Sequence, residues 1–314
     1  MKKSRIFAVL VAMAMGLAVF GCSNGDSDSF ESGSTIGGTE SDSTGGTTSG
    51  GGTESDSTGG TTSGSIEPIP DVFVSGRNLE IASFYISDHE VTRGEYKAVM
   101  GIDPSKGGAY DKDGKELTGD DNVKNNPVNC VSWYDALVYC NTLSIKKGLA
   151  PCYAIGGKTD PKVWGDVPTK NNDTWNAATC DSKANGYRLP TDAEWEWAAR
   201  GGKESTYTYA GSNDIDDVAW YNTNGTRDVK TKKANGYGLY DMSGNVWEWC
   251  WDWYDAISSK TPGSGPASGS NRCQRGGSWY GTARHAQVAY RDYCYNCPYK
   301  RDYSDGFRVV RNAN

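Results

Sequence analysis

The cysteines and histidines offer the most direct chemistry in this chain. Cys294 and Cys297 have the C-x-x-C spacing, which can hold a soft metal ion or form a redox disulfide. His89 and His285 are the two histidines and lie far apart in the sequence, which excludes a metal triad built from histidines. We interpret the two cysteines as part of a polar surface segment rather than as a thiol site.

Acidic pairs are the second chemical feature. Glu194 with Glu196, and Asp252 with Asp255, have residue types that can act as general acid and base. We expect these carboxylates instead to cap a helix and to face solvent. Within residues 67–314, no G-x-S-x-G motif, phosphate-binding loop or Ser/His/Asp ordering occurs. The sequence therefore shows no recognised catalytic constellation.

The segment 280–305 has an uneven composition. It contains six tyrosines but lacks Leu, Ile, Phe, Trp, Met and Glu. Tyr, Cys, His, Asp and Ser codons can all be reached from an Asn codon by changing adenines alone. This pattern is typical of a variable region copied with errors from an adenine-rich template by a diversity-generating retroelement, and it predicts such a region at about 279–311. The alternative is an ordinary Tyr-rich loop packed on the core.

The predicted variable positions form the expected ligand-binding surface, because Tyr combines contact area and a hydroxyl with few rotatable bonds. They are Tyr280, Gly281, Thr282, His285, Tyr290, Asp292, Tyr293, Cys294, Tyr295, Asn296, Cys297, Tyr299, Asp302, Tyr303, Ser304 and Asp305. The residues between them that we expect to be fixed scaffold positions are Ala289, Arg291, Pro298 and Arg301.

Three helices are predicted from the same local signal, a Ser or Thr followed three residues later by an acid. Such a pair caps the first helical turn by reciprocal hydrogen bonds. The pairs are Thr92 with Glu95, Ser132 with Asp135, and Thr191 with Glu194. Short alternating runs at 84–86 and 306–310 predict strands. The domain is therefore expected to be α+β with much irregular structure.

Composition restricts the class of protein. The formal net charge is −7, which gives no electrostatic reason to expect a nucleic-acid partner. Residues 67–314 are rich in Trp, Tyr and Gly and suit one large domain. Eight cysteines remain besides Cys22, and an even number permits disulfides without identifying the pairs. Buried free thiols are an equal expectation for Cys140.

The N-terminal segment predicts attachment to a membrane. Residues 1–21 have a basic start, an apolar run and a small residue before Cys22, as in a lipoprotein signal peptide. Cys22 is the predicted lipidated residue. Residues 22–66 include two identical 14-residue units, Gly37 to Gly50 and Gly51 to Gly64, with no apolar side chains, which predicts a flexible tether. We expect an outer-membrane or cell-surface location.

Six motifs in succession resemble the sulfatase-modifying-factor family, which includes the formylglycine-generating enzymes. They are ISDHEVT at 86–92, NPV at 126–128 with SW at 132–133, GYRLPT through EWE at 186–196, GLYDMSGNVWEW at 238–249, RGGSW at 275–279 and GFR at 306–308. The resemblance covers nearly all of 67–314 and implies a C-type-lectin-like fold in which the final strand returns beside the first. The signal peptide and variable segment make the chain similar to retroelement-diversified variable lipoproteins of Treponema.

The family resemblance implies two kinds of site. The family's oxidases carry two copper-binding cysteines shortly after the RGGS-aromatic motif, but 280–287 contains no cysteine. The loop with Asp241, Gly244, Val246 and Glu248 resembles a calcium loop of formylglycine-generating enzymes, which would use two side chains and two carbonyl oxygens. Alternatively, the Asn and Trp residues of this loop only lock the turn into the core.

These observations favour a binding module over an enzyme. We predict a surface-displayed, receptor-like or adhesin-like protein that requires no cofactor. Its partner would be an unidentified protein or cell-surface ligand, recognised by the variable segment. A formylglycine-generating-type oxidase is the alternative.

Overall fold

The computed structural model describes residues 71–74, 81–202, 206–256, 265–292 and 296–313. All of them belong to one unit of the chain, residues 60–314. The predicted signal peptide, Cys22 and the tether lie outside the described residues. So do three predicted variable positions, Tyr293, Cys294 and Tyr295. No helix in the described ranges is both long and apolar enough to cross a membrane.

Three of the helices begin where the capping signals predict. The helices are α1 (Arg93–Met100), α2 (Asp120–Val123), α3 (Trp133–Lys146), α4 (Asp173–Asn176), α5 (Asp192–Ala199) and α6 (Ile215–Val218), with a 3₁₀ turn at Pro161–Val163. Both hydrogen bonds of the capping box are present at the starts of α1, α3 and α5. The three predicted helix starts are therefore confirmed.

The strands are short, and most belong to small sheets. They are β1 (Asp71–Val74), β2 (Phe84–Ser87), β3 (Ala109–Tyr110), β4 (Glu116–Leu117), β5 (Tyr153–Ala154), β6 (Thr179–Cys180), β7 (Tyr187–Arg188), β8 (Thr226–Arg227), β9 (Trp247–Trp253), β10 (Arg272–Arg275), β11 (Asp305–Gly306) and β12 (Val310–Asn312). The sheet orders are β1-β2-β12-β7, β10-β9-β11, β4-β3-β8 and β5-β6. Strand β12 pairs antiparallel with β2, so the end of the described chain returns beside its first strands as expected.

The single strand predicted at 306–310 is wrong in detail, because the segment crosses between two sheets. Strand β11 pairs in parallel with β9, whereas β12 pairs with β2 and β7. Between them, Arg308 turns into the core, where its Nε and Nη2 each donate to Glu248 at 2.7 Å. Burial of this guanidinium requires a break in the strand pairing.

Two hydrophobic clusters fill the interior. One surrounds α3 and includes Trp133, Trp249 and Phe307, all essentially inaccessible to solvent. The other surrounds α5 and includes Trp195 and Met242. The aromatic composition is thus used mainly to pack short elements together, because these elements are too small to form a core from regular layers.

Arginine–carboxylate pairs lie between these clusters, and we call them the buried charge frame. Arg308 pairs with Glu248, and Arg188 makes two hydrogen bonds of 2.7 Å to Glu194. The third arginine of this frame, Arg275, pairs with Asp192 and Glu196. Each charge is held in the interior by an opposite charge.

The acidic pairs predicted to face solvent are largely buried, so that expectation is wrong. Glu194 does cap α5, but it is 9% exposed because Arg188 binds it. Although burial acts to raise it, the Arg188 charge holds the pKa of Glu194 below its usual value. Asp252 is 4% exposed, and burial raises its pKa to about 7. Asp255 is exposed, as expected.

The described cysteines are free thiols, namely Cys130, Cys140, Cys152, Cys180, Cys250, Cys273 and Cys297. Cys140 is buried on the inner face of α3. The expectation of a buried free thiol at this position is therefore confirmed.

Candidate ligand-binding surface

The RGGSW motif creates the turn from which the predicted variable segment starts. Gly276 and Gly277 have φ values of 89° and 77°, a backbone conformation that side chains other than glycine rarely adopt. A Cβ atom at Gly277 would lie 2.9 Å from the backbone nitrogen of Ala286. The turn therefore brings 278–286 back against the scaffold and leaves Trp279 at the base of the surface.

Trp279 supports the first group of exposed rings. Its backbone nitrogen donates to the carbonyl of Asn245 at 2.7 Å, and its indole is 9% exposed. The Tyr280 and Tyr303 rings lie 5.7 and 5.6 Å from the Trp279 ring and 6.5 Å from each other. Tyr280 is 69% exposed and Tyr303 is 45% exposed. Two predicted variable residues that are 23 positions apart thus share one anchoring ring.

A second group forms around Trp247 at the start of β9. The rings of His285 and Tyr290 lie 6.0 and 5.9 Å from Trp247 and 5.0 Å from each other. Arg284 lies over the Tyr290 ring at 5.8 Å. The group therefore combines aromatic surface with one exposed positive charge.

Short backbone contacts join the two groups. The Thr282 backbone nitrogen donates to His285 Nδ1 at 3.2 Å, close in sequence to Tyr280. On the other side, the Trp247 backbone nitrogen donates to the Ser304 carbonyl at 2.8 Å, one residue after Tyr303. The joined surface, which we call the aromatic face, consists of Trp247, Trp279, Tyr280, Thr282, His285, Tyr290 and Tyr303.

Three of the four predicted fixed residues bind the scaffold. Arg291 Nε donates to Asp192 at 2.7 Å, and Arg301 makes hydrogen bonds of 2.6 and 2.9 Å to Asp135. The Pro298 carbonyl accepts a hydrogen bond from the first turn of α3 at 3.3 Å. Ala289 is exposed and makes no comparable contact among the hydrogen bonds of the described chain. Arg291, Pro298 and Arg301 thus hold the segment against the scaffold.

Two predicted surface residues are buried, so they do not belong to the displayed surface. Asn296 is 2% exposed and donates to Asp292 at 2.9 Å. Asp305 is 3% exposed because it lies in β11, and its Oδ2 has no hydrogen-bond partner. Burial raises the pKa of Asp305 to about 7.

The remaining predicted positions are half-buried. The side chain of Tyr299 packs against the α3 cluster, and Cys297 Sγ lies 3.6 Å from Asn271 Oδ1. Ser304 donates from its hydroxyl to Asp302 at 2.9 Å within the turn that carries Tyr303. Gly281 lies in the turn after Trp279, where its carbonyl accepts from Asn222. These residues support the face more than they extend it.

The sequence interpretation missed Trp247 as part of the surface and treated it as scaffold. Trp247 and Trp249 are two residues apart in β9, so strand alternation places them on the same face and does not distinguish them. Trp249 is fully buried, whereas Trp247 is half-exposed because the strand begins at the domain surface beside β11. The position of Trp247 at the start of the strand was the one feature of the sequence that indicated its exposure.

The proposed calcium loop does not fit a cation in this arrangement. Both carboxylate oxygens of Glu248 are bound by Arg308, and one also accepts from the Trp195 indole at 2.7 Å. Asp241 Oδ2 accepts from the Lys230 backbone, although its Oδ1 has no partner. Within the described ranges, no group of three or more His, Cys, Asp or Glu residues is arranged to hold a metal ion.

Several known proteins are similar to this chain, over different shares of their length. Chaperone protein LppX of Paenibacillus barcinonensis is 38% identical over 267 residues, which cover 76% of this chain and 83% of that protein. The structure of Treponema denticola variable protein 1 superposes with a TM-score of 0.65 and 38% identity, covering 77% of this chain and 91% of that one. The formylglycine-generating enzyme of Streptomyces coelicolor is 34% identical but covers 45% of this chain and 52% of the enzyme.

These similarities confirm the α+β, C-type-lectin-like fold expected from the six motifs. The model of the sulfatase-modifying factor enzyme 1-like domain matches residues 44–313, which is most of the chain. The chain therefore belongs to the family of sulfatase-modifying factor enzyme 1-like domains.

Proposed function

We propose that the aromatic face is a ligand-binding surface and that the protein acts as a receptor or adhesin. The observation that carries this proposal is the joint exposure of Tyr280 and Tyr303 beside Trp279. Large exposed rings grouped in one place are typical of recognition surfaces. The similarity to a solved protein named as a variable protein supports the same function.

The chemistry of the face suits a protein or cell-surface ligand. Tyr rings offer apolar area, a hydroxyl and little conformational entropy to lose on binding. Trp247 and Trp279, which lie outside the predicted variable set, would supply a constant base below changing side chains. Arg284 and His285 would add polar contacts at one edge.

We further propose that a retroelement diversifies the face. Exposed positions such as Tyr280, Thr282 and Tyr303 carry the adenine-accessible residue types, while Arg291 and Arg301 anchor the segment to the scaffold. A near-copy of the final coding stretch should lie close to the gene, with adenines at the variable positions. Sequencing of separate lineages should find substitutions confined to those positions. Changes scattered equally over 81–202 would contradict diversification.

A display experiment tests whether the face can bind. One yeast-displayed library varies Tyr280, Thr282, His285 and Tyr303, and a control library varies the exposed Ile102, Val163 and Tyr207. Both are selected against one defined soluble protein, hen egg-white lysozyme. We expect binders from the first library alone. Equal enrichment from both libraries would show that the face has no special capacity.

Membrane attachment through Cys22 belongs to the same proposal, because a displayed face needs a position on the outside of the cell. The signal-like segment and the Gly/Ser/Thr-rich tether support it. Palmitate labelling should mark the wild-type chain and not Cys22→Ala. Equal labelling of both would exclude lipidation at this residue.

We do not assign an oxidase function to the chain. The family's copper-binding cysteines are missing from 280–287. The purified protein should therefore leave a sulfatase peptide cysteine unoxidised, with or without added copper. Copper-dependent formation of formylglycine would overturn this assignment.

A further inference from the structure

Two cysteines lie together at the small sheet formed by β5 and β6. Tyr153 pairs with Cys180 in the antiparallel register, and the Asp181 backbone nitrogen donates to the Cys152 carbonyl at 2.8 Å. Cys152 and Cys180 are therefore diagonal neighbours across two paired backbones. The segment between them carries Trp164 and Trp175, which pack in the α3 cluster.

The thiols of this pair are in direct contact. Cys152 and Cys180 are free in the structure, and their side chains hydrogen-bond to each other. Cys152 Sγ also lies 3.2 Å from the Gly186 carbonyl, which fixes its direction. The two side chains are therefore already hydrogen-bond partners before any bond forms between the sulfur atoms.

One of the two sulfurs can be reached from outside. Cys180 lines a cavity of about 580 Å³ together with Arg188, Leu189 and Trp251, whereas Cys152 is 1% exposed. The hydrogen bond from Cys180 and the positive charge of Arg188 lower the pKa of Cys152. The same hydrogen bond, together with burial, raises the pKa of Cys180, so the pair carries its negative charge on the inner sulfur. An outer thiol in a cavity is thus backed by an inner thiol that ionises more readily.

A second pair provides a contrast. Cys250 and Cys273 lie on the adjacent strands β9 and β10, but both are 0% exposed. Burial raises the pKa of both thiols. A reagent in solution has no path to these sulfurs, and neither is activated as a thiolate.

We propose that Cys152 and Cys180 form a disulfide by exchange with a small-molecule disulfide that enters the cavity. The two thiols share a proton, and this proton passes to Cys152 as the Cys180 sulfur attacks one sulfur of the oxidant. The attack releases one thiolate and leaves a mixed disulfide on Cys180. The Cys152 thiolate then attacks the Cys180 sulfur and releases the second thiolate. The two cysteine protons pass to the released thiolates, so the oxidant is reduced to two thiols while the protein gains one disulfide.

The disulfide would tie both ends of the segment that carries Trp164 and Trp175 to one point. It would stabilise the fold by restricting the unfolded chain. Such a bond persists in oxidising compartments, which agrees with the proposed position outside the cytoplasm. The exchange itself depends on neither that location nor the aromatic face.

Differential alkylation of the full chain tests the proposal. The protein is reduced, freed of reductant, incubated with oxidised glutathione, alkylated, unfolded, reduced and alkylated again with a second label. We expect Cys152 and Cys180 to lose the first label together and to appear as one cross-linked peptide before the second reduction. Cys250 and Cys273 should carry no disulfide. The melting temperature should rise on oxidation.

Single variants identify the order of the steps. Cys152→Ser should accumulate a stable glutathione adduct on Cys180, because the resolving thiol is missing. Cys180→Ser should form little adduct, because Cys152 is inaccessible. A reduced Cys152–Cys180 pair in wild-type protein, or oxidation of Cys250 and Cys273 to the same extent, would overturn the proposal even if neither variant folds.

Discussion

The aromatic face and the buried charge frame use similar residue types under opposite constraints. In the frame, Arg308 and Glu248 are both 0% exposed, and each is bound by several partners. On the face, Tyr280 and Tyr303 touch each other and Trp279 while much of their area remains in solvent. Substitution in the frame leaves a buried charge without a partner, whereas substitution on the face mainly changes what a ligand would meet. The fold can therefore tolerate variation at one surface.

The largest expected effect comes from opening the charge frame. Arg308→Met leaves Glu248 buried beside Trp195 without its cation, and loss of one partner of a buried pair costs about 3–5 kcal/mol of unfolding free energy. Arg284→Met on the face should stay within about 0.5 kcal/mol. Denaturant unfolding measures both. Similar losses would remove the distinction between frame and face.

Two tryptophans of the same strand sharpen the comparison. Trp249→Ala removes a fully buried indole that donates to the Val131 carbonyl at 2.9 Å, and we expect a loss of about 3–5 kcal/mol. Trp247→Ala should cost roughly 1 kcal/mol, since this ring is half-exposed and contacts His285 and Tyr290. Thermal melting of both variants provides the measurement. Equal destabilisation would place Trp247 back in the core.

Buried carboxyls predict that stability falls as pH rises. Burial raises the pKa of Asp241 to about 6 and those of Asp252 and Asp305 to about 7, from an ordinary 3.8. The folded protein therefore binds more protons than the unfolded chain between about pH 4 and 7, and it loses stability across that window. His89, whose pKa is raised to about 9 by Asp88 and Glu95 against the effect of burial, adds the same sign at higher pH. The melting temperature should be higher near pH 5 than near pH 8.

A variant of Asp305 isolates one contribution to the change of melting temperature with pH. Asp305→Asn removes a titrating group from β11 beneath the face, so its melting temperature should change less between about pH 6 and 8 than that of wild type. The matched change Asp255→Asn, at an exposed position, should leave the slope unchanged. An unaltered slope in Asp305→Asn would show that this carboxyl does not titrate in the window.

The smallest expected effect is on the face itself. Tyr280→Ser combined with Tyr303→Ser should change the unfolding free energy by about 1 kcal/mol or less, because Tyr280 is 69% and Tyr303 45% exposed. A lysozyme binder selected from the display library should lose binding when whatever residues it carries at positions 280 and 303 are both replaced by Ser. A large drop in melting temperature would mean that these rings are core and that the recognition surface lies elsewhere.

The sequence by itself determined the local elements and the family. The helix starts at Thr92, Ser132 and Thr191 were predictable, because a capping box involves atoms only three residues apart. The order of the six motifs was sufficient for the fold. The codon pattern also located the segment that forms the aromatic face, and it separated Arg291 and Arg301 as anchors.

Only the tertiary structure decided which of these residues reach the surface. Asn296 and Asp305 belong to the same predicted variable set as Tyr280 and Tyr303, yet contacts with β10 and β9 bury them. Glu194 is shielded from solvent because Arg188 binds it. Cys152 lies beside Cys180 because β5 and β6 pair. Exposure and thiol pairing depend on contacts between distant segments, and such contacts leave no periodic signal in the chain.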